Sequence, residues 1–464
     1  EGVVHHRAPA LGGAAVVVWK AQGVAGLVGG ELAAPTIYDG VMYAINGSWT
    51  FAIDLETGHQ IWRTPVTLEP ETRRTGYNRG APTIYEGKLF RVTYDNHLLA
   101  LDMETGTELW NQKFAERSEG YYSTGAPIVA NGVLISGMSG GESTTRGFLD
   151  GWDPDTGTKL WRRYTIPAPG EPGSETWLQD SDAWMYGGGP TWRSGSYDPE
   201  LDLVYWGTGN AEPYDPRPRG ELDSLYTSSV LAIRPKTGEL VCHFQYTPND
   251  VYDVDGTDEH VLADMEIAGQ SRKVMIQANK NGFLYVLDRT DCSLIAAHPY
   301  VHVNWATHID LVTGRPVLTD LYTRFLAGEE VAIFPSRGSN AVPIAFNPDT
   351  GLAQFTPPTA NPFAIGPHRF IAIAHDLAGN TSSDELDFTI NTVAPDDKPP
   401  VWVSLSPDNG TTVRTRGTRI VVSVSDSQSP LNPSSVIAAV DGQAVPADQV
   451  SYSAIDPRTG LISF

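Results

Sequence analysis

The chain has 464 residues, a formal net charge of −23 and 12 Trp, 19 Tyr and 14 Phe side chains. This length allows roughly two to four domains with a large core. The acidic excess argues against nucleic acid and anionic membranes as partners, because both are bound through clustered Lys and Arg. No apolar run reaches the ~18 residues that a spanning helix needs, so no membrane span is predicted.

Cysteine usage narrows the class further. Two cysteines, Cys242 and Cys292, exclude a zinc ribbon, a dense disulfide scaffold and covalent c-type haem, which needs a C-x-x-C-H motif. Scarce thiols and high acidity indicate a periplasmic or secreted protein. The chain begins EGVVHH, without an initiator Met or a visible signal peptide, so we expect a mature protein or a fragment.

A turn motif, apolar-x-Asp-x-x-Thr-Gly-x-x-x-Trp, recurs along the first part of the chain. It occurs as AIDLETGHQIW, ALDMETGTELW and GWDPDTGTKLW, whose glycines Gly58, Gly106 and Gly157 lie 48 and 51 residues apart. Degenerate copies follow in AIRPKTGELVC, where Cys242 replaces Trp, and in VLDRTDCSLIA. Asp caps such a turn, Gly supplies positive φ, and the alternating flanks are typical of antiparallel strands. The period predicts propeller blades; an irregular β-sandwich that reuses one turn is the alternative.

A second repeat begins further along the chain. AFNPDTGLAQF, at residues 345–355, returns as AIDPRTGLISF at 454–464, an offset of 109 residues. A unit of about 100 residues made of short alternating strands is typical of an immunoglobulin-like sandwich. We therefore predict an all-β chain, with a partial propeller over 1–350, a partial immunoglobulin-like sandwich over 351–398 and a second, truncated sandwich over 399–464.

Four polar segments between the blades carry the candidate chemistry: SGMSGGESTTRG, GGGPTWRSGSYD, VYWGTGNAEPYD and TPNDVYDVDGTDE. Within them Glu142, Asn210, Asp253 and Asp255 offer hard oxygen ligands, which suit Ca²⁺ or a similar cation rather than Zn²⁺. Asp253 and Asp255, two residues apart on an extended segment, would point to the same side. Solvated turns with Asx caps contain the same residue types, so the residues alone leave that alternative open.

These segments resemble the pyrroloquinoline quinone (PQQ)-dependent alcohol and methanol dehydrogenases, which are eight-bladed quinoprotein propellers. The blade motif and the stretches ISGMSGGESTTRGFLDGW, WGTGN and PNDVYDVDG carry the resemblance, over roughly residues 14–345. It implies that Glu142, Asn210 and Asp253 bind the metal and that Asp253 is also the catalytic base. The acidic Asp255 resembles the lanthanide-dependent branch, so the expected ion is a lanthanide or Ca²⁺.

The resemblance also implies a PQQ site. Trp192 would stack on the quinone, and Lys280 would bond to its oxygens and assist catalysis. Further cofactor contacts are implied for Arg79, Thr124, Ser139, Gly140, Gly141, Asn340 and Glu31. Arg73 and Arg74 stand where the family often has two adjacent cysteines, so the disulfide ring of those cysteines is not expected.

The implied function is oxidation of a small alcohol to an aldehyde, with electrons passed to an external cytochrome c or similar acceptor. The remaining family blades do not follow residue 350, so we expect either that a partner chain completes the propeller or that the chain is a fragment or a natural fusion with an impaired site. The alternative is a non-catalytic adhesion or scaffold protein derived from such an enzyme, because fold does not determine function. A hydrolase that uses the Asp cluster would lack a paired nucleophile and base.

Overall fold

The structure is a computed structural model. It describes residues 33–69, 80–267, 269–335 and 338–340 in full, and beyond them the backbone of further strands. The chain divides into two compact units, Glu1–Ile267 with Ser271–Pro357, and Ala268–Gln270 with Pro358–Phe464. No helix in the described part is long and apolar enough to cross a bilayer.

The first unit contains five four-stranded antiparallel sheets, each made of four consecutive strands paired in chain order. This meander is the arrangement of a propeller blade, so the predicted all-β propeller is confirmed for this part of the chain. Blade 1 consists of the strands Thr36–Tyr38, Val41–Ile45, Trp49–Asp54 and Gln60–Pro65, and blade 2 of Thr83–Tyr85, Lys88–Val92, His97–Asp102 and Glu108–Lys113. Blade 3 consists of Ile128–Ala130, Val133–Gly137, Phe148–Trp152 and Lys159–Tyr164, and blade 4 of Ser196–Asp198, Leu203–Gly207, Ser229–Ile233 and Leu240–Gln245. Blade 5 consists of Val261–Ile267, Gln270–Ala278, Phe283–Asp288 and Leu294–Pro299.

Short elements complete this unit. After blade 5 come the hairpin Ala306–Ile309 with Pro316–Leu318 and the α-helix Asp320–Leu326. Two more hairpins pair His5–Arg7 with Val16–Val18 and Ile344–Asn347 with Leu352–Phe355. The 3₁₀ helices are Arg117–Glu119, Gly141–Ser143, Ser174–Thr176, Ala183–Met185 and Arg217–Arg219.

The second unit is also made of strands. Gly366–His375 pairs with Thr381–Ile390 in an antiparallel register. The second copy of the later repeat forms a hairpin, as the first copy does. The immunoglobulin-like assignment and its boundaries stay predictions. The other strands are a sheet in the order Val401–Pro407, Ile420–Ser425, Thr459–Ser463 and Ser451–Asp456, and the pair Ala439–Val440 with Gln443–Ala444.

The Asp-x-x-Thr-Gly turn joins the third and fourth strands of a blade, as its chemistry predicts. In blade 1 the Asp54 carboxylate accepts hydrogen bonds from the Thr57 backbone N–H at 2.7 Å and from the Thr57 hydroxyl at 2.6 Å. Asp102 and Asp153 bind the Thr of their own turns in the same way. Each turn therefore closes on itself and leaves its Gly free for a contact with another blade.

The contact is made by a Trp of the preceding blade, which lies four residues after the turn Gly of its own blade. The indole lies so close that a Cβ on the Gly would stand 2.6–2.8 Å from its ring carbons. The indole N–H also donates to the carbonyl oxygen three residues before that Gly, at 2.9–3.2 Å. Only Gly fits under the ring, so the motif couples neighbouring blades. The pairs are Trp62 on Gly106, Trp110 on Gly157 and Trp161 on Gly238.

The next interface replaces this contact with a disulfide. Cys242 occupies the Trp position of blade 4, Cys292 occupies the Gly position of blade 5 with φ of +64°, and the two form a bond across 50 residues. Both replacements are visible in the sequence, but only when the two segments are aligned with the turn motif of the other blades. A covalent link therefore does here what stacking does between the earlier blades.

We expect Cys242→Ser with Cys292→Ser to lower the free energy of unfolding of this unit by about 2–4 kcal/mol, because the unfolded chain regains the entropy of a long closed loop. Cys242→Trp with Cys292→Gly should recover part of that loss, since it rebuilds the contact of the other interfaces and relieves the positive φ. Denaturant unfolding followed by Trp fluorescence measures both. A Trp/Gly variant no more stable than the Ser/Ser variant would contradict the equivalence.

The core lies between neighbouring blades rather than at one centre. Phe90 of blade 2 clusters with Leu134 and Phe148 of blade 3, and Val204 of blade 4 clusters with Ile135 and Leu149 of blade 3. The largest cluster joins blades 4 and 5 to the later hairpin and helix. Each blade is therefore an apolar layer that is buried only when its neighbours are present.

Candidate functional site

The predicted site residues of blades 3 to 5 lie in connections at one end of the propeller. Because successive strands run in opposite directions, the turn between strands 3 and 4 lies at one end. The connections between strands 2 and 3, and between one blade and the next, lie at the other end. Every predicted site residue in blades 3 to 5 and their connections belongs to this second end: Thr124, Ser139, Gly140, Gly141, Glu142, Trp192, Asn210, Asp253, Asp255 and Lys280.

The Asp255 carboxylate joins three of these connections. One oxygen accepts from the indole N–H of Trp192 at 3.3 Å and from the backbone N–H of Asn210 at 3.2 Å. The other lies 3.0 Å from the ammonium of Lys280. Trp192 comes before blade 4, Asn210 lies within blade 4 and Lys280 within blade 5. All four residues are buried.

We call the group formed by Asp255, Trp192, Asn210 and Lys280 the Asp255 hub. It can form because the backbone of Gly209 approaches the Asp255 carboxylate closely. A Cβ on Gly209 would stand 2.6 Å from the Asp255 carboxylate and 2.7 Å from the ring of Pro190. The glycine of WGTGN therefore leaves the space in which Asp255 reaches the Asn210 backbone. The Asn210 side chain has a different surrounding: its amide oxygen is buried and has no hydrogen-bond partner.

Asp253 also binds Lys280, at 3.1 Å. The expectation of an extended Asp-x-Asp segment is wrong, because Asp253 has a φ of +56° and no strand covers this stretch. The two carboxylates still converge, since Lys280 attracts both. Burial and the nearby Asp255 charge raise the pKa of Asp253 to about 6 against the opposing effect of Lys280. Burial disfavours the ammonium, but Asp255 and Asp253 outweigh it, so the pKa of Lys280 stands above its usual value.

The second polar group lies beside blade 3. The hydroxyls of Thr124 and Ser139 are 2.9 Å apart and both are buried. Gly140 has a φ of +106°, and a Cβ there would lie 2.5 Å from the Gly120 carbonyl oxygen. Gly141 would meet Pro190. The backbone at Gly140 and Gly141 is therefore closely packed, and it leads directly into the short helix Gly141–Ser143.

Glu142 lies on that helix with an exposed side chain. Its charge acts on Glu212, and burial together with that charge raises the pKa of Glu212 to about 7, although the hydrogen bond from Asn210 lowers it. Asn340 is half-buried. Arg79 and Glu31 lie outside the described residues. Across the described ranges no three His, Cys, Asp or Glu side chains group closely enough to hold a metal ion.

Several residues near the site were not singled out from the sequence. Glu212 accepts a hydrogen bond from the Asn210 amide at 3.1 Å. Arg193 forms an ion pair with Glu259, and its guanidinium carbon lies 5.8 Å from the Trp192 ring centre. Glu212 lies two residues after Asn210 and Arg193 directly follows Trp192, but nothing in the sequence indicates which partner each one has.

A buried polar network holds the acidic segment of residues 250–260 in place. The Gln277 amide donates to the carbonyl oxygens of Gly256 at 2.9 Å and Asp258 at 2.6 Å. The Tyr246 hydroxyl lies 2.8 Å from His260 Nε2. Burial lowers the pKa of His260 to about 3, so the ring is neutral in the folded protein.

This network predicts a pH-dependent stability. Between pH 6.5, the ordinary pKa of His, and pH 3 the unfolded chain binds a proton at His260 that the folded chain does not. Stability is therefore complete above pH 6.5 and falls by about 2 kcal/mol between pH 7 and pH 5. His260→Gln should lose this part of the slope in denaturant titrations, whereas His298→Gln, at an exposed position, should keep it. Equal slopes in both variants would refute the assignment.

Comparison with known proteins shows the family. The family model for the glucose/ethanol/alcohol dehydrogenase β-propeller domain matches residues 28–297. The quinohemoprotein alcohol dehydrogenase ADH IIB of Pseudomonas putida is 41% identical over 342 residues, which are 69% of this chain and 49% of that protein. The lanthanide-dependent methanol dehydrogenase of Methylacidiphilum fumariolicum is 37% identical over 302 residues, 61% of this chain and 49% of that protein.

Among solved structures, the quinohemoprotein alcohol dehydrogenase ADHIIG of Pseudomonas putida HK5 has a TM-score of 0.65 and 33% identity, covering 79% of this chain and 53% of that chain. The fold and these matches together define a quinoprotein propeller. The chain belongs to the PQQ-dependent alcohol dehydrogenase family, as its motifs predict. It spans about half the length of the curated relatives it matches.

Proposed function

We propose that this chain carries the cofactor and cation site of a PQQ-dependent alcohol dehydrogenase that oxidises a small alcohol to an aldehyde. The observation that carries the proposal is the Asp255 hub, which brings Trp192, Asn210 and Lys280 together while the Asn210 amide oxygen is left without a partner. A buried acceptor without a hydrogen bond costs about 1–3 kcal/mol, so its retention favours a role toward a bound group.

The residues present fit both groups. A hard cation would draw in the Asn210 oxygen and the carboxylates of Asp253, Asp255 and Glu142, all of which are oxygen ligands, because in the described structure the three carboxylates do not yet group closely enough to hold it. PQQ would lie against the indole of Trp192, with polar contacts from Thr124, Ser139 and Lys280. A planar ring suits an indole face, and cationic and hydroxyl donors suit the carboxylates of PQQ.

When bound, PQQ supplies an electrophilic carbonyl that accepts hydride, and the cation supplies Lewis acidity. The protein's own part is the proton. Asp253 is half-buried, and Lys280 orients its carboxylate, so it is the candidate base for the alcohol hydroxyl. Asp255 is buried and accepts from Trp192 and Asn210, which suits it to positioning.

Electron transfer and location extend the proposal. We propose an external cytochrome-type acceptor, in keeping with the quinohemoprotein names of the relatives, and a periplasmic or secreted location. The competing function is a non-catalytic adhesion or scaffold protein. The buried ion pair of Asp255 and Lys280 favours an enzyme, because taking even paired charges out of water is costly and a scaffold gains nothing from it.

Asp253→Asn tests the base. Asn tolerates the positive φ at this position, so the backbone should be kept. We expect kcat/KM for alcohol oxidation to fall by about 100- to 10,000-fold while PQQ still quenches Trp fluorescence saturably. Asp215→Asn, at a partly exposed carboxylate paired with Arg217, is the matched control. Undiminished turnover in Asp253→Asn would refute the role of this residue. Failure of the unaltered chain to bind PQQ with Ca²⁺ or La³⁺ would favour the scaffold.

Asp255→Asn tests the ion. We propose a lanthanide preference, supported by the lanthanide-dependent relative and by the extra negative charge of Asp255. Coulomb attraction scales with the charge of the ion, so loss of one carboxylate charge should weaken La³⁺ more than Ca²⁺. Isothermal titration with each ion measures this difference. An equal loss for the two ions, or a larger loss for Ca²⁺, would contradict the proposed preference.

A further inference from the structure

The amide of Asn210 is held in one orientation. Its Nδ2 donates to Glu212 Oε1 at 3.1 Å and is 3.4 Å from the Ala211 carbonyl oxygen. Oδ1 on the other side of the amide is fully buried without a partner. With Glu212 ionised, the reverse orientation would put Oδ1 against its carboxylate, where two acceptors repel. Glu212 therefore keeps Oδ1 on the opposite side of the amide, which faces Gly141: a Cβ on Gly141 would stand 3.5 Å from Oδ1.

Glu212 is itself anchored. Its backbone N–H donates to the Gly187 carbonyl oxygen at 2.9 Å, and its side chain is largely buried. The following residue is tied down by the fully buried Arg219, which donates to the Pro213 carbonyl oxygen at 2.9 Å. The same guanidinium donates to the Asp250 carbonyl oxygen at 2.8 Å. Arg219 thus connects the segment that carries Glu212 with the segment that carries Asp253 and Asp255.

We propose that Glu212 is a positioning residue for a hard cation: by accepting from Nδ2 it turns the Asn210 amide oxygen toward the ion. The inference rests on the proposed function, because it needs a cation at this site. It adds a residue two positions beyond the predicted ligand, whose role is to set the direction of that ligand rather than to replace it. Outer groups of this kind typically change metal affinity by about 10- to 100-fold.

The test uses Tb³⁺ as the probe, with luminescence excited through Trp, on the full chain without PQQ. Glu212→Leu should weaken Tb³⁺ binding by about 10- to 100-fold. Glu212→Gln should weaken it less, because Gln can both donate and accept and so permits either orientation. Glu221→Gln, an exposed position on the same loop, should bind as the unaltered chain does. Thermal unfolding of each variant checks that the fold is kept.

A rescue experiment separates orientation from a merely structural role. In Asn210→Asp with Glu212→Leu, residue 210 presents a carboxylate oxygen whichever way it turns, so affinity should return toward that of the unaltered chain. A double variant as weak as Glu212→Leu alone would overturn the positioning role, as would unchanged binding in both Glu212→Leu and Glu212→Gln. No Tb³⁺ binding by the unaltered chain would overturn the cation site and this inference together, whereas binding that ignores residue 212 would overturn this inference alone.

Discussion

The contact of one blade with the turn of the next is the constraint on which the rest of this structure depends. In blades 1 to 3, a Trp four residues after the turn glycine fits against the glycine of the following blade, and a disulfide takes the same place between blades 4 and 5. These contacts set the angle between successive blades. Since the site is built from connections at the other end of the same sheets, that angle also decides how closely the connections approach one another.

The site contains several features that lower the stability of the fold, and the packing of the rest of the propeller offsets that loss. Asp255 and Lys280 are buried charges, Asp253 has a positive φ, and the Asn210 oxygen has no partner. Each of these costs stability in a plain structural protein. Their coincidence at one end of blades 4 and 5 is the pattern expected where stability is exchanged for binding and catalysis.

The extent of the chain bears on the same site. The Asp255 hub uses blades 4 and 5 and the connection before blade 4, and Glu142 comes from blade 3. All these elements lie in the first compact unit and nearly all within the part matched by the family model. The hub therefore forms from neighbouring blades, although the chain spans about half the length of its relatives.

Local chemistry determined much of this protein from the sequence alone. The Asp-x-x-Thr-Gly turns, their strands and the Trp of blades 1 to 3 follow from short-range capping and periodicity, so they were predictable. The partners of Asp255 were not, because Trp192 lies 63 residues and Asn210 lies 45 residues away in sequence. The positive φ of Asp253 and the hydrogen bond from Asn210 to Glu212 were not predictable either. Only the packing of whole blades brings such connections together, and that packing depends on contacts that no single segment contains.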